Sequence, residues 1–457
     1  MRGPIPQRPV FALFAGLIGF AVAAFAPQIF HDGDSWWHIA AGGWMLDHQT
    51  VLKADVFSFT FFGQPWDAQE YLSEILMALA YRLGGWTGLH LLFGAAMGAT
   101  CAIVTYYVRG KTGKPTLLVA LVGLACISGS LLARPHLLAL PLLALWTFGL
   151  LEARDQRRAP HWGLLGVMLL WANMHGSFAF GLALACAFAL EAVLENRGVI
   201  KDWAAFLLGA VIAATLTPQL LHGLVFPFQL LLLGSIHNIG EWAPTRLTEV
   251  SPFLIALAGL VWLGATRQMR LSVIRVLIIG GLAGMALMHA RHQMLFGIVA
   301  AMIVARALGP KHPPGGGLAP GWLMPAGWAA LAVLLAARLL LPTGRGDDAV
   351  TPMTALAQVP DAVRAQPVLN AYDFGGYLIF SGVKVFVDGR TDMYGDAFLG
   401  SYDAAMKPDA LALGATLAKY RIGWTLLSPG PATKMMDRMP GWHRQYRDAF
   451  AVVHVRN

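Results

Sequence analysis

"HDGDSWWH", residues 31–38, sets two carboxylates and two histidines around a tryptophan pair just where the first apolar run ends. Asp34, Asp32 and His38 are residue types that perform acid–base work: a carboxylate takes a proton from a hydroxyl, and a histidine beside it can assist. Two such acids can also hold a hard divalent cation through oxygen ligands. Further groups recur at intervals: Asp55, Asp67, Glu70 and Glu74, then Arg134 and His136, then Asn173 and His175. Glu241 and Arg246 follow, and then His289, Arg291 and His292. Cations thus stand at Arg134, Arg246 and Arg291, with His175 and His292 among the imidazoles.

The elements that must position these groups follow from composition. The chain has 457 residues, 57% of them hydrophobic and only 13% charged, with a mean hydropathy of +0.58. That composition predicts a polytopic membrane protein. The net charge of +8 comes from Lys and Arg concentrated in short loops between apolar runs, where they orient spans, so no nucleic-acid partner is expected. Cys101, Cys126 and Cys186 all lie inside apolar stretches, which argues against a disulfide framework or a zinc site.

Runs long enough to cross the hydrocarbon core occupy 10–30, 87–108, 116–133, 136–152, 161–174, 177–195, 203–218, 251–266, 272–289, 293–309 and 322–342, about eleven helices. The first has a signal-peptide-like Ala24-Phe25-Ala26, but Pro27 should impede cleavage, and it reads as a retained span. One set of loops holds Arg2, Arg8, Arg109, Lys111, Lys114, Arg154, Arg157, Arg158, Arg197, Lys201, Arg267, Arg270, Arg306 and Lys311. The opposite set holds scattered cations such as Lys53, Arg134, Arg246 and Arg291. The bias places the first set and the N-terminus in the cytoplasm, and everything after Pro342 outside it. All the candidate groups then share the outer side, where ionisable residues near the membrane pair or line a wet cavity.

The outer segment 31–86 has helical order. Trp37, Ala40, Ala41 and Trp44 form an i, i+3, i+4, i+7 stripe, and Asp34 stands where a helix N-cap belongs. A second helix is expected over 67–83, with Glu70 and Glu74 on a solvated face. Abundant Trp and Tyr suggest that both helices lie in the headgroup layer. On this reading Asp34 can be a plain cap, Asp32 a solvated acid, Arg134 and Arg291 markers of helix ends, and the histidines interfacial hydrogen-bonders.

An acidic motif opening a long outer loop with two interfacial helices resembles the glycosyltransferase-C superfamily, polytopic enzymes that move a sugar from a polyprenyl-phosphate carrier. "DGDSWWHIAAGGWML", "DVFSFTFFGQPWDAQEYLSE", "LLWANMHGSF" and "VDGRTDMYG" are similar to a set of bacterial membrane proteins assigned to that superfamily without a defined substrate. The superfamily's acidic motif maps onto Asp34, with Asp32 two residues earlier. The superfamily often pairs adjacent acids, whereas here Gly33 stands between them. The resemblance implies an inverting transfer from a polyprenyl-phosphate-linked sugar to a glycan, lipid or protein acceptor. Asp34, Asp32 and His38 would be catalytic, and Asp34 with Asp32 would be the ligands of any divalent metal, Mg or Mn; Arg134, Arg246 and Arg291, with His175 and His292, would bind the leaving phosphate, whose charge arginines stabilise. Location in the bacterial inner membrane is implied as well.

After Pro342 the composition becomes ordinary. Strands are expected at 367–371, 376–380, 383–388, 422–427 and 449–455, and helices at 352–364, 396–419 and 431–438. The expected architecture is thus an α-helical polytopic domain over 1–342 and a small extracytoplasmic α/β domain over 343–457. In the latter, "YDFGGYL" and "VDGRTDMYGD" supply Asp373, Asp388, Arg390, Asp392 and Tyr394, which form either a turn network or an acceptor-binding site, the acceptor-binding candidates being Asp388, Arg390, Asp392 and Tyr394. Two other functions remain open: a transporter or flippase for a lipid-linked glycan, and a non-catalytic envelope scaffold. Transporters tend to carry charged, broken-helix features near the bilayer midplane, and the spans here are nearly free of charge.

Overall fold

The computed structural model describes residues 4–111, 116–230, 234, 242–308 and 318–457. Arg2, Lys114, Glu241, Lys311 and most of the 310–321 loop lie outside the described residues. Each expected apolar run folds as a helix: α1 (Gln7–Phe25), α3 (Tyr71–Lys111), α4 (Thr116–Ala125), α5 (Pro135–Asp155), α6 (Leu164–Met174) and α7 (Phe178–Glu195). They are followed by α8 (Ile200–Thr215), α10 (Pro252–Ala265), α11 (Val273–Met288), α12 (Gln293–Leu308) and α13 (Leu323–Leu340). Two more helices join them, α2 (Asp34–His48) and α9 (Leu221–Leu230). Among the described residues, seven helices are long and apolar enough to cross a membrane: those of α1, α3, α5, α7, α8, α12 and α13. The chain is a helical membrane protein.

The two ends of this bundle differ in character. At one end Asp155 pairs with Lys111 of α3 and Arg306 of α12, and Glu191 of α7 pairs with Arg154 of α5 and Arg275 of α11. Residues of the Lys/Arg-rich loops therefore meet one another. Near them the two-residue strand β1 (Ile5–Pro6) pairs with β2 (Leu318–Ala319). The opposite end carries α2, the start of α3 and the C-terminal region.

Helix α3 joins the outer segment to the bundle. It begins at Tyr71 rather than 67, and the Glu70 carbonyl accepts its first hydrogen bond, from the Glu74 N–H at 3.0 Å. Its regular dihedrals break at Gly84 and Gly85; Gly85 has φ +55°, a region that glycine enters without a Cβ clash. The break redirects the outer part of the helix relative to the span.

The headgroup-layer reading of α2 is overturned. Trp36 is only 3% exposed and packs edge-on against Trp86 and Tyr377, while its indole N–H donates to Thr351 Oγ1. Apolar bulk drew these tryptophans into a core shared with the C-terminal region, which also contains Trp37, Trp66, Val368, Phe374 and Leu378. Residues 31–70 and 343–457 are thus joined by one apolar core.

The C-terminal region contains a four-stranded mixed sheet in the order β3 (Val368–Asn370), β4 (Trp424–Leu427), β6 (Val452–Arg456), β5 (Trp442–Arg447). β3 and β4 are parallel and the other pairs antiparallel. Short helices accompany it: α14 (Met353–Ala357), α15 (Asp361–Arg364), α16 (Gly375–Phe380), α17 (Thr391–Met406), α18 (Ala410–Lys419) and α19 (Pro431–Met436). The expected strand 376–380 is the helix α16, since a short continuous apolar run fits a buried helix as well as a strand. The expected strand 383–388 lies outside this sheet and bridges instead to Ser58 of the outer segment through Val385. The expected helix 396–419 is split where Pro408 stands: Pro disfavours helix in the residue before it. Asp409 then caps α18 by accepting from the Leu411 and Ala412 N–H groups.

Candidate functional site

A cavity of about 740 Å³ opens where α2, the start of α3, the outer ends of α5, α7, α11 and α12, and the C-terminal region meet. Part of its lining is apolar, formed by residues such as Phe180, Phe226, Phe228, Met285 and Leu295. The rest is polar or charged. Asp32, Asp34, His38, Arg134, His175, Arg291, His292, Arg390 and Asp392 all line it, as do Glu70 and Glu74. Residues scattered over most of the sequence therefore converge on one space.

Asp34 is the first residue of α2, but its carboxylate does not cap the helix. Oδ1 accepts from the Trp37 indole N–H at 3.0 Å, and Oδ2 lies 3.0 Å from Arg134 Nη1. Arg134 also grips Asp32 with Nε and Nη2, each at 2.5 Å. One guanidinium is thus forked between two acids, a geometry suited to its planar donors. Arg134 is therefore not the phosphate clamp its sequence position suggested, because two carboxylates already meet its charge. Each of the four carboxylate oxygens of Asp32 and Asp34 has a partner in Arg134 or Trp37. Among the described residues no group of three or more His, Cys, Asp or Glu side chains is arranged to hold a metal.

Gly389 of the C-terminal region seals this corner. A Cβ there would fall 1.8 Å from Asp34 Oδ1, so only glycine allows the backbone so close to the carboxylate. "HDGDSWWH" and "VDGRTDMYG" are in direct contact.

Glu70 and Glu74 do not form the expected solvated face. Glu74 is 1% exposed, and its Oε1 lies 3.1 Å from His38 Nδ1. Glu70 Oε1 lies 3.2 Å from His175 Nε2, and Glu70 Oε2 lies 4.0 Å from His38 Nε2. The signal in the sequence is the i, i+4 spacing of two acids within an otherwise apolar helix start; it was read as the outward face rather than the inward one. Burial holds the His38 imidazole well below its ordinary range, helped by the positive charge of Arg134 and by His175 and His136. His175 is lowered for the same leading reason. Burial also pushes the Glu70 carboxyl up to about 8, against the opposing pull of Arg291. Asp392 and Asp373 are raised, again chiefly by burial.

Elsewhere in the lining Arg291 packs over the Trp242 ring at 4.4 Å, and His292 is buried with its Nδ1 3.3 Å from the Met285 carbonyl. Arg246 does not join them. Its side chain is 77% exposed and pairs with exposed Glu249 at 2.9 Å.

The C-terminal cluster divides. Asp388 and Arg390 are fully buried, with Arg390 Nη2 2.7 Å from Asp388 Oδ2 and Nη1 2.7 Å from Asp55 Oδ1. Tyr394 donates to Asp388 at 2.7 Å. Burial opposes the charge of Asp55, but Arg390 and the bonds from Ser58 and Phe57 outweigh it and hold the carboxyl below its usual range. Asp388 and Tyr394 are therefore structural, whereas Asp392, whose carboxylate accepts from the Trp66 indole at 3.0 Å, faces the cavity. Asp373, expected in the same cluster, lines it as well, as do Tyr372 and Thr391, which carried no clear signal in the sequence.

Neither the known protein families nor the curated proteins match this chain in sequence.

Proposed function

We propose that the chain is a membrane glycosyltransferase that transfers a sugar from a polyprenyl-phosphate-linked donor to a glycan, lipid or protein acceptor at the outer face of the bacterial inner membrane. The observation that carries this reading is the mixed lining of the cavity: apolar side chains of the bundle share one space with acids, imidazoles and Arg291. A lipid phosphate bearing a sugar combines the same two characters. Its chain would lie along Phe180, Phe226 and Leu295, and its phosphate would meet Arg291. The Lys/Arg distribution supports a cytoplasmic N-terminus and an outward-facing cavity, and about eleven spans follow from counting the shorter apolar helices.

In the reaction, the acceptor hydroxyl oxygen bonds to the anomeric carbon from the face opposite the phosphate. The bond from that carbon to the phosphate oxygen breaks, and its electron pair leaves with the polyprenyl phosphate. The hydroxyl proton passes to a cavity carboxylate, a transfer that contributes roughly 10²–10⁴-fold in such enzymes. Asp34, fixed by Trp37 and Arg134, orders the acidic corner where the acceptor enters. The test is purified protein in lipid nanodiscs supplied with polyprenyl-phosphate sugars and envelope acceptors. Wild type should form product, and Asp34→Asn should lose most of it while remaining folded. Movement of a lipid-linked glycan across vesicles without any transfer would instead identify a flippase.

A further inference from the structure

We propose that Glu70, which lines the cavity beside His175 and His38, is the carboxylate that receives the acceptor's proton, while Asp34 serves to hold Arg134; this assignment rests on the sugar-transfer reading above. The geometry begins at Ser177. Its backbone N–H donates to His175 Nδ1 at 3.0 Å, and its hydroxyl, which accepts from the Trp171 indole, stands 2.7 Å from the same nitrogen. A ring nitrogen that accepts a backbone N–H carries no proton, so the neutral ring keeps its proton on Nε2. That nitrogen lies 3.2 Å from Glu70 Oε1. Glu70 Oε2 is turned toward His38, 4.0 Å from its Nε2, and is the oxygen placed to receive a proton. Asp34 is differently placed: both of its oxygens are held, one by the Trp37 indole and one beside the Arg134 guanidinium, whose positive charge favours the ionised carboxylate.

Every packed element contributes charge at Glu70. Asp34 and His38 face it from α2, Glu74 from α3, Arg134 from the start of α5, and His175 from the α6–α7 turn. Arg291 faces it from the start of α12 and Asp392 from α17. Burial is the largest influence and favours the neutral acid; Asp392 and Asp34 add to it, and Arg291 and Arg134 oppose it. Two carboxylates in one cavity thus have divided roles, one held in an arginine fork and the other poised to exchange a proton near its working pH. During transfer the hydroxyl proton moves to Glu70 Oε2 as the new carbon–oxygen bond forms. Glu70 returns the proton to solvent between turnovers. His175 remains neutral and acts as a positioning residue.

The experiment combines turnover with infrared spectroscopy on the full chain in nanodiscs. Wild-type kcat should climb with pH and level off above about 8. Glu70→Gln should lower kcat roughly 10²–10⁴-fold, abolish the climb and leave the donor KM nearly unchanged. Asp34→Asn should lower the rate but keep the climb. His175→Gln should move the midpoint of the climb, which a merely structural role would not do. A carboxylic-acid carbonyl band should titrate near pH 8 in wild type and vanish in Glu70→Gln. Near-normal turnover by Glu70→Gln, or a band that survives in it, overturns the assignment. A wild type that transfers no sugar while the band titrates normally overturns the sugar-transfer reading and the role as base with it, but leaves Glu70 standing as the proton-exchanging group.

Discussion

Arg390 and Asp55 stand 335 residues apart in the chain and meet at 2.7 Å, with neither side chain exposed to solvent at all. The pair, with Asp388, ties the outer segment to the C-terminal region. Removing one partner of a buried ion pair leaves an uncompensated charge, which costs about 3–5 kcal/mol. Arg390→Ala should therefore destabilise the protein by about that much, read as a large drop in unfolding temperature in detergent. A shift no larger than that of a surface substitution would show that water reaches this network.

Arg291 and Arg246 were equivalent in the sequence but not in the structure. Arg291→Ala should raise the donor KM severalfold or more, since charge-assisted bonds to phosphate are among the strong ones. Arg246→Ala should leave both KM and kcat unchanged, because its exposed pair with Glu249 contributes little. Equal effects of the two substitutions would argue against the cavity as the phosphate site.

Glu70 also predicts a pH dependence of stability. Its carboxyl is raised in the folded state from 4.5 to about 8, so the folded protein binds the extra proton. That stabilisation is complete below pH 4.5, declines as pH rises, and is gone above about 8. Glu70→Gln keeps a neutral group at every pH. The variant's melting temperature should gain on wild type steadily across this window and hold a constant lead above it. A lead that does not change with pH would mean that Glu70 does not titrate there.

Sidedness has its own test. Ser401 is exposed on α17 in the C-terminal region. A cysteine placed at Ser401 should react with a membrane-impermeant thiol reagent in cells whose inner membrane is intact. Reaction only after that membrane is permeabilised would reverse the topology.

Much of this arrangement was legible in the sequence. The apolar runs became helices because long apolar stretches have few other ways to satisfy their backbone. The expectation that Asp34, His38, Arg134, His175, Arg246 and Arg291 line one cavity holds for all of them except Arg246. Pairing was not legible. Whether Arg134 faces a phosphate or two carboxylates depends on distances that spacing does not encode. Glu70 and Glu74 were misread because an i, i+4 acidic pair fits an outward face equally well until a neighbouring histidine is located. Trp36 and Trp37 were misread because tryptophan suits both a headgroup layer and a core.

The joint between Asp55 and Arg390 also sets an order of events during biosynthesis. Chains are made from the N-terminus, and earlier parts fold before later ones exist. Asp55 is synthesised long before its guanidinium partner, and Gly389, which closes over Asp34, arrives equally late. Until then the acidic corner stands open and one of its supporting carboxylates lacks its partner. The cavity is therefore a late product of synthesis, completed only when the last quarter of the chain docks against the first, and a ribosome that stops early releases a bundle without a finished site.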